Sequence, residues 1–483
     1  MQLSHPAPIV ASPLRPAVAV AAAAGAGASV LIGWLTATRS PLLAASCVAG
    51  AVGVAWALRR PHIALAGLVT VIALLPFGVA PLRLGVAPTL LDLVTALVFF
   101  LWLALAAAGR LTPAPRPGLG SDLPGLTLVA FAATLCAAFL LSGAAVGVDE
   151  SGRAFVKLVL AHLLFLPLLS LVRAPNATRR LVAWLLVVVG AEAVVGLGLY
   201  FAPRALAYRA LAALGPLGYP TDASVLRYRP DTDILRATGT SVDPNMLGAL
   251  LMVAAALAVP LVLARHPAVS RVILVVVLLP IIPCLLLTES RGSWLGLAGA
   301  VLFVAAVRYR RLLVLLLLTG PLLLAAPAAQ RFTGHLLSGL QAQDRASAMR
   351  LGELQNAATL IIAHPWFGVG WGDGGQSIEL LFTLGVSNVY LTVAERAGLP
   401  ALAIYLIALA ALGATLWPAV RRRWRSPADD GLLLGLVAAL VATQIAGMLD
   451  HHFIRFPHLV SVLWLLAALA VAEAQGVRAW RAR

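Results

Sequence analysis

Apolar residues in this chain run in long blocks, and the blocks are punctuated by arginine. A stretch of roughly 17–25 mainly apolar residues is the length that crosses a bilayer as a helix. Such stretches lie near 17–37, 41–58, 63–82, 86–109, 124–142, 155–172 and 181–201. Others lie near 245–263, 270–288, 292–307, 311–327, 388–417, 431–449 and 457–474. Several are short or glycine-rich, so the pattern predicts about twelve to fourteen spans. The expected fold is all-α, a polytopic transmembrane helical bundle. N-terminal helices (1–201) are followed by a loop (202–244), further helices (245–327), a large loop (328–387) and C-terminal helices with a tail (388–483).

The two loops exceed ordinary connectors, and long loops in compact folds are usually functional. The second is expected to be partly helical. In "RLGELQNAATLIIAHP", Leu351, Leu354, Ala358 and Ile361 or Ile362 recur at helical spacing, and His364-Pro365 should end the helix. Such an amphipathic helix would lie over the outer membrane face and cover a cavity.

Composition supports this reading: 61% of residues are hydrophobic and only 11% charged, where soluble domains average about 25% charged. The N-terminal "MQLSHPAPIVASPLRP" is polar and proline-rich, and no cleavable signal is expected from it. Cys47, Cys136 and Cys284 are scattered in apolar runs and read as small core residues. The net charge of +16 comes almost wholly from arginine. In a soluble protein it would suggest nucleic acid; between membrane spans it sets orientation, and no nucleic-acid partner is expected. Placing both termini in the cytoplasm puts Arg59-Arg60, Arg110, Arg173 with Arg179-Arg180, Arg265 with Arg271, "RYRR" and "RRRWR" in short inner loops. "GVDESGR" and "DHHF" then fall outside. The bacterial inner membrane is the expected location.

Arg291, in "TESRGSWLGL", breaks that pattern. Arg236, Asp243, Arg350, Asn388, Glu395, Arg396, Asp450, His451 and His452 gather on the same expected face. Near mid-span the clearest ionisable groups are Glu192 and His162, whereas a transporter usually collects polar groups there. Guanidinium groups fork onto phosphate oxygens, so an arginine-lined membrane site suits a lipid-linked phosphate or pyrophosphate. The plainer alternative is that Arg291 snorkels to the interface and pairs with Glu289 or headgroups. Asp243-Pro244-Asn245 reads as a helix start, with Asp as N-cap and Pro first. Gly368 and Gly370 in "PWFGVGWG" would permit a tight turn and a backbone anion nest. Trp366 and Trp371 suit sugar stacking or an interfacial aromatic belt.

Four segments in order, "RATGTSVDPNMLGALL", "TESRGSWLGL", "RLGELQNAATLIIAHPWFGVGWG" and "SNVYLTVAERAGLPAL", resemble the O-antigen ligase and polymerase family. The similarity covers roughly residues 230–470. It implies a periplasmic-face membrane glycosyltransferase with an inverting mechanism and neither metal nor cofactor. The donor would be a glycan on undecaprenyl pyrophosphate, the acceptor another glycan or lipid A–core, with membrane lipids around both. Arg291 matches the arginine of the family's "SRG", and Arg350 and Arg236 match two further arginines. Ser290, Asn245 and Asn388 fall within the same motifs and are expected, with Arg236, Gly368, Gly370, Trp371 and Ser387, to contact pyrophosphate or glycan. Ser387 occupies the place where ligases of the family keep a His, and serine is a poor general base. His451 and His452, following Asp450, are the expected substitutes. Glu395 is expected to pair with Arg396 and orient the site, with general base as its sharper role. A bicarbonate-type transporter and a non-catalytic assembly protein are the alternatives.

Overall fold

In a computed structural model, the described residues are 52–80, 88–111, 119–141, 150–173, 176–229, 232–325, 330, 333–334, 345–371, 385–423 and 430–480. The chain divides into two compact units, Met1–Arg60 and Pro61–Arg483. In the first, residues 52–59 form a helix. The predicted span 17–37, most of 41–58, the N-terminal segment and Cys47 lie outside the described residues.

The second unit is helical. Its first half runs α1 (Pro61–Leu74), α2 (Leu90–Ala107), α3 (Leu119–Leu141), α4 (Glu150–Leu163), α5 (Phe165–Leu171), α6 (Ala177–Phe201) and α7 (Arg204–Ala212). Its second half runs α8 (Pro244–Leu263), α9 (Arg271–Leu287), α10 (Arg291–Val307), α11 (Arg310–Ala325), α12 (Arg345–Ala363), α13 (Val389–Arg423), α14 (Leu432–Gly447), α15 (His452–Arg455) and α16 (Pro457–Trp480). Each predicted apolar block from 63 onward coincides with a helix or helix pair. Among the described residues seven spans are long and apolar enough to cross a membrane, and α9, α10 and α14 are shorter apolar helices. The expected polytopic helical bundle is what forms.

The helices α8 and α16 form the centre: 83% of each apolar window is buried inside the protein, against 28% for α2. The helix α8 packs on α14, α10 and α9, while α16 packs on α4, α5, α13 and α14. Small residues allow the close approach that membrane helices use. A Cβ on Gly296 of α10 would lie 2.3 Å from Met252 Sδ and 2.9 Å from the Ala442 carbonyl. Outward rows such as Val272, Val275, Val276 and Leu279 of α9 are exposed, as a lipid-facing surface requires.

Helix polarity sorts the connections to two ends. One end carries the arginine-rich turns: Arg179 pairs with Asp430, and Ala268 N–H donates to the Asp430 carbonyl at 3.1 Å. The other end carries the α8 start, the α9–α10 turn, the α13 start and the α14–α16 connection.

One expectation gains a detail and one needs correction. The block 388–417 is one span, α13, interrupted at Gly398 (φ 85°, ψ 170°). The freed Leu399 N–H donates instead to the Pro365 carbonyl at 2.7 Å. Second, α12 ends at Ala363 as the His-Pro pair predicts, but its apolar stripe does not cover the protein. Leu351, Leu354 and Ile362 are exposed, and Ala357 is buried. The face turned inward carries Arg350 and Glu353, whose partners are on other segments. An apolar stripe turned outward is stable where lipid meets it.

Candidate active site

The site is built on three chain reversals at one end of the bundle. The first precedes α8. Asp243 caps α8 by accepting from the N–H groups of Asn245 (2.8 Å) and Met246 (3.1 Å), with Pro244 at the first helical position. This is the start read from "DPN". Upstream, a Tyr228–Leu235 bridge makes a short antiparallel arm, and Arg236 N–H donates to the Arg227 carbonyl. The arm delivers the Arg236 side chain inward. Its Nε donates to the Thr288 carbonyl at 2.8 Å and its Nη2 to Asn245 Oδ1 at 2.6 Å.

The second reversal is the α9–α10 turn, Thr288–Ser290. Glu289 adopts a left-handed conformation (φ 53°) and is buried. Ser290 Oγ and Ser293 Oγ are 3.0 Å apart. Gly248 of α8 makes room for this turn: a Cβ there would lie 2.8 Å from Ser293 Oγ and 2.9 Å from Ser290 Cβ. The tight fit fixes Arg291 at the first position of α10. A cation at a helix N-terminus adds to the positive end of the dipole, so this spot favours an anion. Arg291 is near enough to raise the cost of charge on Arg236. Burial works first against that charge and lowers the Arg236 pKa, while Asp243, Glu289 and Asp450 act in the opposite sense.

The third reversal is Asp450-His451-His452, between α14 and α16. The two histidines separate here. His452 Nδ1 is 2.9 Å from Asp450 Oδ1, whereas His451 Nδ1 is 3.9 Å away. A carboxylate only accepts, so Nδ1 of His452 carries the hydrogen and Nε2 is left as the acceptor. Burial disfavours charge on His452, but the charge of Asp450 and its hydrogen bond outweigh this, and the pKa is raised. For His451 burial prevails and the pKa is pushed down to about 3. Asp450 is held below the usual carboxylate range: His452, His451 and Arg350 overcome its burial. Arg350 Nη2 of α12 is 3.8 Å from Asp450 Oδ2. Ser290, Gly292, Ser293, Asp450, His452 and Phe453 line one small recess, which joins the second reversal to the third.

The remaining expected residues lie on the α12–α13 side. Ser387, in the place of the family's His, gives its N–H (3.0 Å) and its hydroxyl (2.7 Å) to Glu353 Oε2. Asn388 caps α13 by accepting from Leu391 N–H at 3.0 Å, and its amide donates to the Met448 carbonyl at 2.9 Å. Glu395 and Arg396 are paired at 3.4 Å.

Gly368 and Gly370 do not form an open anion nest. Their N–H groups donate to the carbonyls of His364 and Arg396, and Val369 N–H donates to that of Glu395. A Cβ on Gly368 would lie 2.4 Å from the Glu395 carbonyl, so these glycines seat the turn against the break in α13. Trp371 is half-buried against the core, while Trp366 is 71% exposed.

Arg229, Glu353 and Thr288 were not singled out by the sequence. Arg229 Nη1 lies 3.7 Å from Glu289 Oε2. The i, i+3 spacing of Arg350 and Glu353 on one helix face was the available signal for Glu353.

This geometry coincides with a family signal. Residues 274–406 match the O-antigen ligase family model. The matched stretch contains the α9–α10 turn with Arg291, Arg350 on α12, and the start of α13. Over these residues the match supports the O-antigen ligase and polymerase family, which is enzymatic in general, and with it a membrane glycosyltransferase-like role in O-antigen or polysaccharide assembly. No curated protein matches the chain.

Proposed function

We propose that the protein transfers a glycan from a lipid-linked pyrophosphate donor to a sugar hydroxyl at the periplasmic face of the inner membrane. The observation that carries this reading is the convergence of two unlike sets of groups. Arg236 and Arg291 concentrate positive charge at the α8 and α10 starts. Beside them, the Asp450–His452 pair opens onto the recess that also holds Ser290. The arginine-rich turns at the opposite end support a cytoplasmic placement for that end.

In the proposed step the acceptor hydroxyl oxygen attacks the anomeric carbon, and its proton passes to His452 Nε2. The new carbon–oxygen bond forms as the bond to pyrophosphate breaks, and the electron pair leaves on the pyrophosphate. Asp450 steadies the imidazolium that results. Arg236 and Arg291 are the groups that would meet the negative charge developing on the pyrophosphate, the kind of arrangement that stabilises a transition state. Attack from the face opposite the leaving group inverts the anomeric centre. Ser387, fixed by Glu353, then has no need to be a base.

Polymerase and ligase differ only in acceptor, and the Ser387 replacement favours polymerisation or exopolysaccharide transfer over the ordinary lipid A–core reaction. The test is a deletion strain with its glycans resolved by size. One repeat in place of a ladder means polymerase, and full-length polymer stranded on undecaprenyl lipid means ligase. Unchanged glycans overturn the reading.

A further inference from the structure

Glu192 is the clearest acidic residue inside a span, and the proposed chemistry does not use it. It lies nine residues before the end of α6, about 13 Å of helix, and is fully buried. Its Oε1 accepts from Thr240 N–H at 2.7 Å, and its Oε2 accepts from the Thr240 hydroxyl at 3.0 Å. The segment before α8 therefore dips well below the end of α6, and a side chain of α6 holds it there.

That segment needs holding. Val242 has φ 61°, a region that β-branched residues avoid, and such strain persists only where the surroundings impose it. Gly239 has φ 55°, and a Cβ there would lie 2.1 Å from Glu192 Oε1. Glycine is what lets the carboxyl group reach the Thr240 amide. The anchored turn, Gly239–Ser241, lies between Arg236, which reaches Thr288 of the α9–α10 turn, and Asn245, which accepts from Arg236.

We infer that Glu192 is a positioning residue. It pins the Thr240 turn and so sets Arg236 and Asn245 at the leaving-group side of the site. This inference rests on the transfer reaction proposed above, but its anchoring part can be read without that reaction. Cys284 Sγ packs at Gly196 of α6, where the Gly239 backbone also approaches. Cys284 is fully buried, so a displaced turn would uncover it.

The test uses the full chain in liposomes with Cys47→Ala and Cys136→Ala, leaving Cys284 as the thiol. N-ethylmaleimide labelling and transfer kinetics are measured side by side. For Glu192→Ala, labelling should quicken at least tenfold, and kcat should fall at least tenfold while KM moves less than threefold. Glu192→Gln, which keeps an acceptor for the Thr240 amide, should restore both to within threefold of the parent. Thr240→Val keeps the amide bond and should fall between; it reads the same quantities if Glu192→Ala does not fold. Unchanged labelling in both Glu192→Ala and Thr240→Val overturns the anchor. Faster labelling with unchanged kcat overturns positioning, and so does a Glu192→Gln protein as slow as Glu192→Ala. A parent protein that transfers nothing sinks the transferase reading, while labelling still decides the anchor.

Discussion

Arginine is used differently at the two ends of the same helices. At the arginine-rich end its partners are mostly local. Arg271 Nη2 donates to the carbonyls of Ala264 and Arg265, closing the end of α8, and Arg422 Nε donates to the Pro418 carbonyl one turn back. The long-range pair there, Arg179 with Asp430, leaves Arg179 46% exposed. At the other end Arg236 reaches Thr288, Arg350 reaches Asp450 and Arg229 reaches Glu289. These partners are distant in sequence, and the groups are more deeply buried. Charges that merely orient a protein sit in water and need one partner. Charges gathered from separate segments into a low-dielectric recess cost desolvation and are kept where they act on something.

The contrast predicts unequal effects of like substitutions. The largest belongs to the histidines. His452→Ala should cut transfer by about 100- to 10,000-fold, the range of a lost general base. His451→Ala, one residue away, should stay within about threefold in rate while lowering stability, because a buried ring is lost. Equal losses in a transfer assay would erase the distinction drawn between them.

Next come the arginines. Arg291→Ala or Arg236→Ala should cost about 100- to 1,000-fold in kcat, as for loss of one charge-stabilising donor. Arg291→Lys keeps the charge and loses the fork, so an intermediate rate is expected. Full activity in Arg291→Lys would favour simple snorkelling.

Much of the fold behind these predictions was legible from the pattern of apolar blocks, because span length, the Asp-Pro start of α8 and the His-Pro stop of α12 are local effects. What the pattern missed is long-range. The break at Gly398 depends on Pro365 docking against it, and Gly368 and Gly370 of "PWFGVGWG" are explained by the α13 backbone they touch. The α12 stripe was read correctly as apolar, but the side turned to the protein is the one with Arg350 and Glu353, since periodicity finds a face but not what covers it. In the site, the arginines and histidines were visible as misplaced charges. Their division of labour was not: only the 2.9 Å contact of His452 with Asp450, against 3.9 Å for His451, separates two adjacent identical residues.

The pH dependence sharpens the same point. In the proposed reaction neutral His452 is the working form, and its pKa is raised above the usual value of 6.5. Transfer should therefore rise with pH through a midpoint above 6.5 and then level off. In Asp450→Asn the opposing charge is gone and burial remains, so the midpoint should move down while the plateau rate falls. Stability follows the opposite limb. The raised His452 pKa stabilises the fold at low pH, and this is lost as pH rises through the shifted value. The lowered Asp450 pKa stabilises above the ordinary carboxylate range and is lost as pH falls through its own shifted value. A melting series across pH reads both limbs.

The smallest effect is expected at the arginine-rich end. Arg179→Ala should leave transfer within about twofold and cost about 1–3 kcal/mol in thermal unfolding, because Arg179 is half-exposed but the Asp430 carboxylate it leaves behind is buried.

The most direct measurement uses the purified protein in liposomes with a defined glycan on undecaprenyl pyrophosphate and a glycan acceptor, following release of undecaprenyl pyrophosphate alongside the new glycosidic bond. Equal amounts of both products from the parent, with both lost together in Arg236→Ala/Arg291→Ala and in His452→Ala, are the predicted result. Product formation at the parent rate in either variant would contradict the assignment of these residues to the reaction.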